Sequence, residues 1–460
     1  MKAGADFSQR QSEYCGFTVS PVKPQKLTSR EPLCLCGEQI AFAVMLLSFL
    51  LFPCLADAQT RIEVTPMISV SETYDDNIDL ENTNKKSDFI TTVSPGIVLA
   101  VTSQNTNLSL QYVPSFEWYA DYDEYNSTSH SAGLSLSQAL TEYLSFDLID
   151  SYLNTEDPLE DTLDLQGLRR GRSRYWVNTA QASFRYRFGA ENSVRAGYRN
   201  GYLKNDDVTL DNSETQTPFA SLGYWFDVKN GAELNYEYTD AHFWRDDDLP
   251  PADDYTGHSA GLRYIHRFTT QTRGYVGYTY TTRDFDGIEE DYDVHSGLLG
   301  VEHAFSPEYS MAGSVGYFIQ VNDFSDNESG PTFTASLTRT FSRGSITAGG
   351  DGGWGEEYVS RGADRGTGFT QYYGAYIRGS YQILEPLSAY ANLSYRHDKD
   401  DADEVSQFYR GNCGLRWSFW RWYSLSLDYS YASVNRDNDI DDYTNNRVML
   451  VFSFGKPFRW

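Results

Sequence analysis

Asn107 to Trp118, NLSLQYVPSFEW, has an alternation that few folds accommodate. Leu108, Leu110, Tyr112, Pro114, Phe116 and Trp118 fall on one side. Asn107, Ser109, Gln111, Val113, Ser115 and Glu117 fall on the other. A period of two marks a β-strand with chemically different faces. Strands of soluble domains are usually ~5–6 residues long, whereas a tilted strand crossing a bilayer needs ~9–11. The pattern recurs about twenty times along the chain. Ala232, Leu234, Tyr236 and Tyr238 interleave with Glu233, Asn235 and Glu237. Leu387 to Tyr395 and Leu425 to Tyr431 repeat the alternation.

The connections are of two kinds. Short turns fall at Gln104-Asn105, Thr141-Glu142, Gly189 to Asn192, Lys229-Asn230, Thr269 to Thr272, Ser306 to Glu308, Ser342 to Gly344, Leu384 to Pro386 and Arg421-Trp422. Long polar loops alternate with them, beginning with Tyr74 to Ser87 and ending with Asp437 to Asp442. Short turns at one end and long loops at the other are the layout of an outer-membrane barrel. An open sheet edge in hydrocarbon leaves backbone groups unpaired, so the sheet has to close. Counting from Arg61 to Gly455 gives twenty strands, and the expected fold is all-β: a transmembrane antiparallel barrel of about 18–22 strands. Leu108, Leu234, Leu393 and Leu427 are expected to face outward, and Gln111, Glu237, Ser394 and Asp428 inward. Pro95 and Pro114 are equidistant from the Gln104-Asn105 turn and are expected to be cross-strand neighbours at a bend or bulge. A soluble propeller is the alternative, but its glycine or Trp-Asp repeat signatures are missing.

Residues 1–58 read differently. Ile40 to Leu55 is an apolar run after Lys23, Lys26 and Arg30, and Ala56-Asp57-Ala58 has the form of a cleavage site. The expectation is a signal peptide over 1–58 and one barrel domain over 59–460. Cys15, Cys34, Cys36 and Cys54 lie in this leader, leaving Cys413 alone in the barrel with no partner for a disulfide. The net charge of −27 argues against nucleic acid as a partner.

Tyr74-Asp75-Asp76-Asn77-Ile78 after the first strand, with Ser94-Pro95-Gly96 in the second, resembles the β-barrel porin-2 family. That family includes outer-membrane proteins associated with exopolysaccharide operons. The resemblance implies a barrel in the outer membrane of a Gram-negative bacterium and a link to polysaccharide export. The aromatic end Phe458-Arg459-Trp460 resembles the signal read by the barrel-insertion machinery. The expected partners are therefore outer-membrane lipid and lipopolysaccharide, that machinery, and polysaccharide or export-complex proteins.

Arginine is frequent on the polar face. Arg185, Arg187, Arg195, Arg199, Arg263, Arg267, Arg273, Arg378 and Arg416 are the candidate lumen-lining residues. A guanidinium is a planar fork suited to carboxylates and phosphates. One reading is a basic ladder for anionic sugars or small anions. The other, favoured for most of them, is bracing by ion pairs with Glu233, Glu237, Asp147 and Asp428, because a wide barrel has to fill or brace its interior. The arginines gather near the short turns and the acids in the long loops, at Asp75, Asp76, Asp79, Asp246 to Asp248, Asp398, Asp400, Asp401, Asp403, Asp437, Asp439, Asp441 and Asp442. This gives a positive vestibule beneath a negative, solvated rim. No loop has the spacing of an EF-hand, so neither a metal nor a cofactor is expected. None of the seven histidines lies in a G-x-S-x-G or H-E-x-x-H context. His242 beside Asp240 is the best candidate for a rim hydrolase, and Cys413 is expected to face lipid. The function expected is a non-enzymatic channel or export conduit for anions or exopolysaccharide. The alternatives are a general porin, a structural or adhesive barrel and, less favoured, an outer-membrane hydrolase.

Overall fold

Each alternating segment becomes one strand of a single closed wall. The computed structural model describes residues 60–157, 172–246, 250–356, 369–400, 403–437 and 442–460. The leader of 1–58 and Asp247, Asp248, Asp401, Asp439 and Asp441 lie outside the described residues. The first strands are β1 (Arg61–Asp75), β2 (Asp88–Thr102), β3 (Thr106–Tyr119), β4 (Ser127–Ala139) and β5 (Leu144–Thr155). Then come β6 (Tyr175–Arg187), β7 (Ser193–Asn205), β8 (Asn212–Trp225), β9 (Asn230–Trp244) and β10 (Tyr255–Arg267). They are followed by β11 (Thr272–Phe285), β12 (Tyr292–Ala304), β13 (Tyr309–Asn322), β14 (Ser329–Phe341) and β15 (Gly344–Glu356). The last are β16 (Phe369–Leu384), β17 (Leu387–Asp400), β18 (Val405–Phe419), β19 (Tyr423–Arg436), β20 (Tyr443–Gly455) and the two-residue β21 (Phe458–Arg459). From β1 to β20 each strand pairs antiparallel with its successor, and both β20 and β21 return to β1. Twenty strands at ~4.8 Å spacing, tilted ~40°, enclose a wall roughly 40 Å across.

The register sorts residues by face. Leu234 lies opposite Leu222 and Leu262, forming an apolar row on the outside. One residue over, Glu233 lies opposite Gly223 and Arg263 on the inside. Leu234, Leu393 and Leu427 are 48%, 59% and 49% exposed, as lipid-facing residues of an isolated barrel must be. Leu108 shares that face, opposite Val101 and Leu136, and is buried there. Cys413 is exposed on the same outer face, between Ala391 and Tyr429.

Pro95 and Pro114 are opposite each other, but without a bulge. The β2–β3 ladder pauses between Val93↔Phe116 and Ile97↔Tyr112 and resumes in the same register. Two residues that lack an N–H face each other there. The Ser94 hydroxyl donates to Ser115 Oγ at 2.8 Å beside the gap. The ladder of β8 and β9 pauses in the same way around Pro218.

The seam between β1 and β20 carries the most polar bonds. β1 runs to Asp75, two residues beyond the Thr73 end read from the sequence. Asp75 is fully buried and accepts from Asn445 Nδ2 and Arg447 Nε, both at 2.5 Å. Asp76 accepts from the Asn446 backbone and side chain, each at 2.7 Å. Asn77, also fully buried, donates to the Thr444 carbonyl at 2.9 Å. At the opposite end Lys456-Pro457 breaks β20, and β21 resumes the pairing as Glu63↔Arg459 and Val64↔Phe458. Trp460 and Ile62 exchange backbone bonds of 2.9 and 3.1 Å. The Asp-Asp-Asn run is therefore a clasp, not part of a solvated rim loop. Asp75→Ala leaves Arg447 and Asn445 without their buried acceptor and is expected to cost about 3 kcal/mol, read as a lower urea midpoint for loss of the compact, heat-modifiable form; Asp76→Ala, on a less buried carboxylate, is expected to cost less.

Candidate functional site: the basic, aromatic-backed lumen

The inward face of the lower wall repeats a layered unit. Phe219 lies opposite Gly197, Trp225 opposite Gly231, Tyr275 opposite Gly300, and Tyr376 opposite Gly349. Each ring lies flat over its glycine. A Cβ built on Gly197 would meet Phe219 Cζ at 2.5 Å, and one on Gly300 would meet Tyr275 Cζ at 2.1 Å. Arginines form a third layer on the rings. Arg195 and Arg199 lie 5.4 and 5.8 Å from the Phe219 centroid, Arg267 3.5 Å from Trp225, Arg263 5.1 Å from Tyr275, and Arg378 4.9 Å from Tyr376. The cation is attracted to the negative face of the ring. Stacking also leaves the guanidinium edge, where its donors lie, free for other contacts.

The nine candidate arginines all face the lumen, and they divide by partner. Arg263 binds Glu233, Arg267 binds Glu191 at 2.6 Å, Arg273 binds Glu302 at 2.8 Å, and Arg199 approaches Glu237 at 3.8 Å. Arg185, Arg187, Arg195, Arg378 and Arg416 pair with no carboxylate among the described residues. Arg187 donates to the Glu142 carbonyl at 3.1 Å, and Arg195 to the Ser183 hydroxyl at 3.1 Å. Arg185 and Arg195 are direct cross-strand neighbours, so two like charges face each other. Bracing by ion pairs thus accounts for four of the nine and not for most. Asp147 and Asp428, expected to share that bracing, bind hydroxyls instead: Ser137 to Asp147 at 2.8 Å, and Tyr390 to Asp428 at 2.5 Å. The side chains of Arg199, Glu237, Arg263 and Arg273 are 42%, 44%, 40% and 51% exposed, so water reaches this wall.

The long-loop end is built differently. Its buried apolar side chains point inward and narrow the mouth. Ile78 and Leu80 of the first loop turn in, Ile78 against Ile90 and Tyr119, and Leu80 against Phe408, Val434 and Tyr443. Across the barrel, Trp354 of β15 and Phe369 of β16 pack on Tyr292 and Phe318 of the inner wall, and Trp354 Nε1 donates to Ser296 Oγ at 3.2 Å. The described rim acids are fasteners. Asp79 binds Lys86 at 2.8 Å, Asp398 binds Arg396 at 2.6 Å, and Asp403 binds Lys399 at 2.5 Å. Asp246 binds Lys204. Asp400, Asp437 and Asp442 accept backbone N–H groups of Glu404, Val405 and Arg436 at 2.8, 3.3 and 2.5 Å. The hydrogen bond and charge of Asp79, with the Tyr125 hydroxyl, raise the Lys86 pKa well above its usual range. Cations thus offset part of the negative rim read from composition, while the acids held only by N–H groups keep their charge.

His242 is not paired with Asp240. Its Nδ1 lies 2.5 Å from Asp254 Oδ2, its ring stacks on Trp244, and the other Asp254 oxygen accepts the Phe243 N–H at 2.7 Å. The pair holds a loop against the outer face. What the sequence reading missed are the glycines and rings under the arginines, because they come from neighbouring strands. The available signal was the alternation of inward Gly and aromatic residues at cross-strand register.

No protein-family model matches the chain, and no curated protein matches it. Solved structures do. The ferric enterobactin receptor PfeA in complex with BCV-L6 is 9% identical with a TM-score of 0.52, covering 87% of this chain and 82% of that one. A variant of the same receptor from Pseudomonas aeruginosa, in complex with enterobactin, gives a TM-score of 0.51 at 9% identity, covering 87% and 82%. Pseudomonas aeruginosa OpdK with vanillate is 11% identical with a TM-score of 0.42, covering 87% and 99%. The likeness to PfeA is one of fold: this chain is a closed twenty-strand barrel of the outer-membrane type.

Two measurements test the layered wall. Gly300→Val is expected to lift Tyr275 and Arg263 off the wall and lower single-channel conductance while the barrel still folds. The hydrogen bond and charge of Arg267 hold the Glu191 carboxyl below its usual range. A depressed carboxylate stabilises above its unfolded pKa and loses that contribution as pH falls through the folded one. The stability difference between the natural chain and Glu191→Gln is therefore expected at neutral pH and to vanish in acid.

Proposed function

We propose that this barrel is an outer-membrane channel through which an anionic exopolysaccharide leaves the periplasm. The observation that carries the reading is the set of five lumen arginines without carboxylate partners, above all the facing pair Arg185 and Arg195. Like charges held face to face are relieved by an anion between them. Arg185 and Arg195 lie on β6 and β7, and Arg378 and Arg416 on β16 and β18, half a turn of the wall away. A passing polymer therefore meets cations from both sides. Flat rings over glycine keep the wall smooth, and aromatic faces suit the apolar faces of sugar rings. The resemblance of Tyr74 to Ile78 and Ser94 to Gly96 to the β-barrel porin-2 family supports the same reading. In this proposal residues 1–58 direct export and are removed, the C-terminal aromatics engage the insertion machinery, and the short turns face the periplasm.

The competing reading is a general channel for small anions. Arg185, Arg195, Arg378 and Arg416 replaced together by glutamine separate the two. The expected result is a shift of ion selectivity away from anions in planar bilayers and a fall in secreted polysaccharide, with folded barrel abundance unchanged on heat-modifiable gels. A shift in selectivity with undiminished secretion assigns the channel to small anions. No shift in either removes the arginines from function.

A further inference from the structure

All seven histidines face outward. His130, His258 and His295 are each the fourth residue from the long-loop end of β4, β10 and β12, and His397 is the fourth from that end of β17. The alternation places them beside Ala132, Ala260, Gly297 and Tyr395, on the face of Leu134, Leu262, Leu299 and Leu393. None of the four is buried in the wall. His266 and His303 sit on the same face, next to the short turns that end β10 and β12.

The spacing fits within a bilayer. His258 and His266 are eight residues apart on one strand face, as are His295 and His303. Eight residues at ~3.3 Å rise run roughly 26 Å along the strand, or ~20 Å of height at a ~40° tilt, most of the ~25 Å apolar band of such barrels. The outward residues between them are Ala260, Leu262 and Tyr264 in one strand, and Gly297, Leu299 and Val301 in the other. Histidine therefore marks both edges of the apolar belt.

The two edges differ in what stands behind the imidazole: tyrosine at the long-loop edge, Asn230 and Thr272 at the other. At the long-loop edge the same bond recurs. The Tyr112 hydroxyl lies 2.9 Å from His130 Nδ1, Tyr236 2.8 Å from His258 Nδ1, and Tyr278 2.7 Å from His295 Nδ1. In each case the tyrosine is diagonal across the strand pair, nearer the middle of the belt. His397 stacks on Tyr373 with centroids 4.5 Å apart. A tyrosine hydroxyl donating to Nδ1 fixes the imidazole hydrogen on Nε2. At the short-turn edge His266 Nδ1 meets the acceptor Asn230 Oδ1, which places its hydrogen on Nδ1, and His303 Nδ1 meets the Thr272 hydroxyl, both at 2.8 Å.

We infer that His130, His258, His295 and His397 form a ring that binds phosphate groups of outer-leaflet lipid headgroups, through Nε2–H in the three whose Nδ1 faces a tyrosine hydroxyl. The tyrosine beneath each imidazole holds its ring at the headgroup level, where amphipathic aromatics are favoured. The inference rests on the outer-membrane orientation of the proposed function but not on its export step, and the two fail separately. The test is retention of bis-phosphorylated lipid A by the purified full-length barrel in detergent, against dephosphorylated lipid A, measured by native mass spectrometry at neutral pH. The natural protein is expected to retain the phosphorylated form selectively. Phenylalanine at all four positions keeps the rings and removes the donors, and is expected to weaken retention by about tenfold, the loss of a bond to a charged group. Glutamine at the four positions restores a donor and is expected to recover part of it. His266→Phe with His303→Phe is expected to change nothing. Equal retention of both lipids by the natural protein, unchanged retention by the fourfold phenylalanine variant, or an equal loss from the His266 and His303 pair overturns the inference. If the fourfold variant does not fold, His258→Phe with His295→Phe is read against the same outcomes. The lumen glutamine variant, which tests export, is expected to retain lipid normally.

Discussion

Everything in this molecule depends on closing the sheet. Each strand crosses a medium without hydrogen-bonding partners, so a backbone group left unpaired there costs several kcal/mol. Nineteen of the twenty contacts around the wall join consecutive strands, and only the seam has to bring together residues about 370 positions apart. That is where the buried Asp75, Asn77 and Asn445 are concentrated, and where β21 extends the pairing past Pro457. The polar clasp sits at the loop end and the backbone hook at the turn end, so the long-range pairing is held from both sides. The pauses at Pro95, Pro114 and Pro218 are tolerated because the register on each side continues unchanged.

A wall of this width cannot fill its interior with side chains, as smaller barrels do. Its aromatic residues lie down on cross-strand glycines instead of projecting. Those rings then offer faces to arginines that a narrow barrel would have to neutralise. The lumen at the turn end is thereby cationic and wet, with part of its charge uncompensated. The mouth is narrowed by inward-folded apolar anchors such as Ile78, Leu80, Trp354 and Phe369, and its acids are spent on holding loops. The two ends thus differ in lining, with ring-stacked arginines at the turn end and apolar anchors with fastened acids at the mouth.

The alternation of Asn107 to Trp118 was enough to dictate strand and face, and its recurrence between alternating short turns and long loops pointed to a membrane barrel. The ends of the wall at Arg61 and Gly455, the short turns and the outward leucines were legible for the same reason: they depend on neighbours in sequence. Which arginines are paired was not legible, because Glu233 meets Arg263 and Glu191 meets Arg267 only through neighbouring strands and turns. The sequence showed Asp75 to Asn77 as part of an acidic loop; the closed barrel brings Asn445 and Arg447 to them and makes the run a buried clasp. Composition suggested a negative rim, but the tertiary structure decided how much of it is cancelled, since a carboxylate's field depends on the cation or N–H beside it. The common outward face of the histidines follows from alternation, while the tyrosine behind each of three of them is supplied by the register of the next strand.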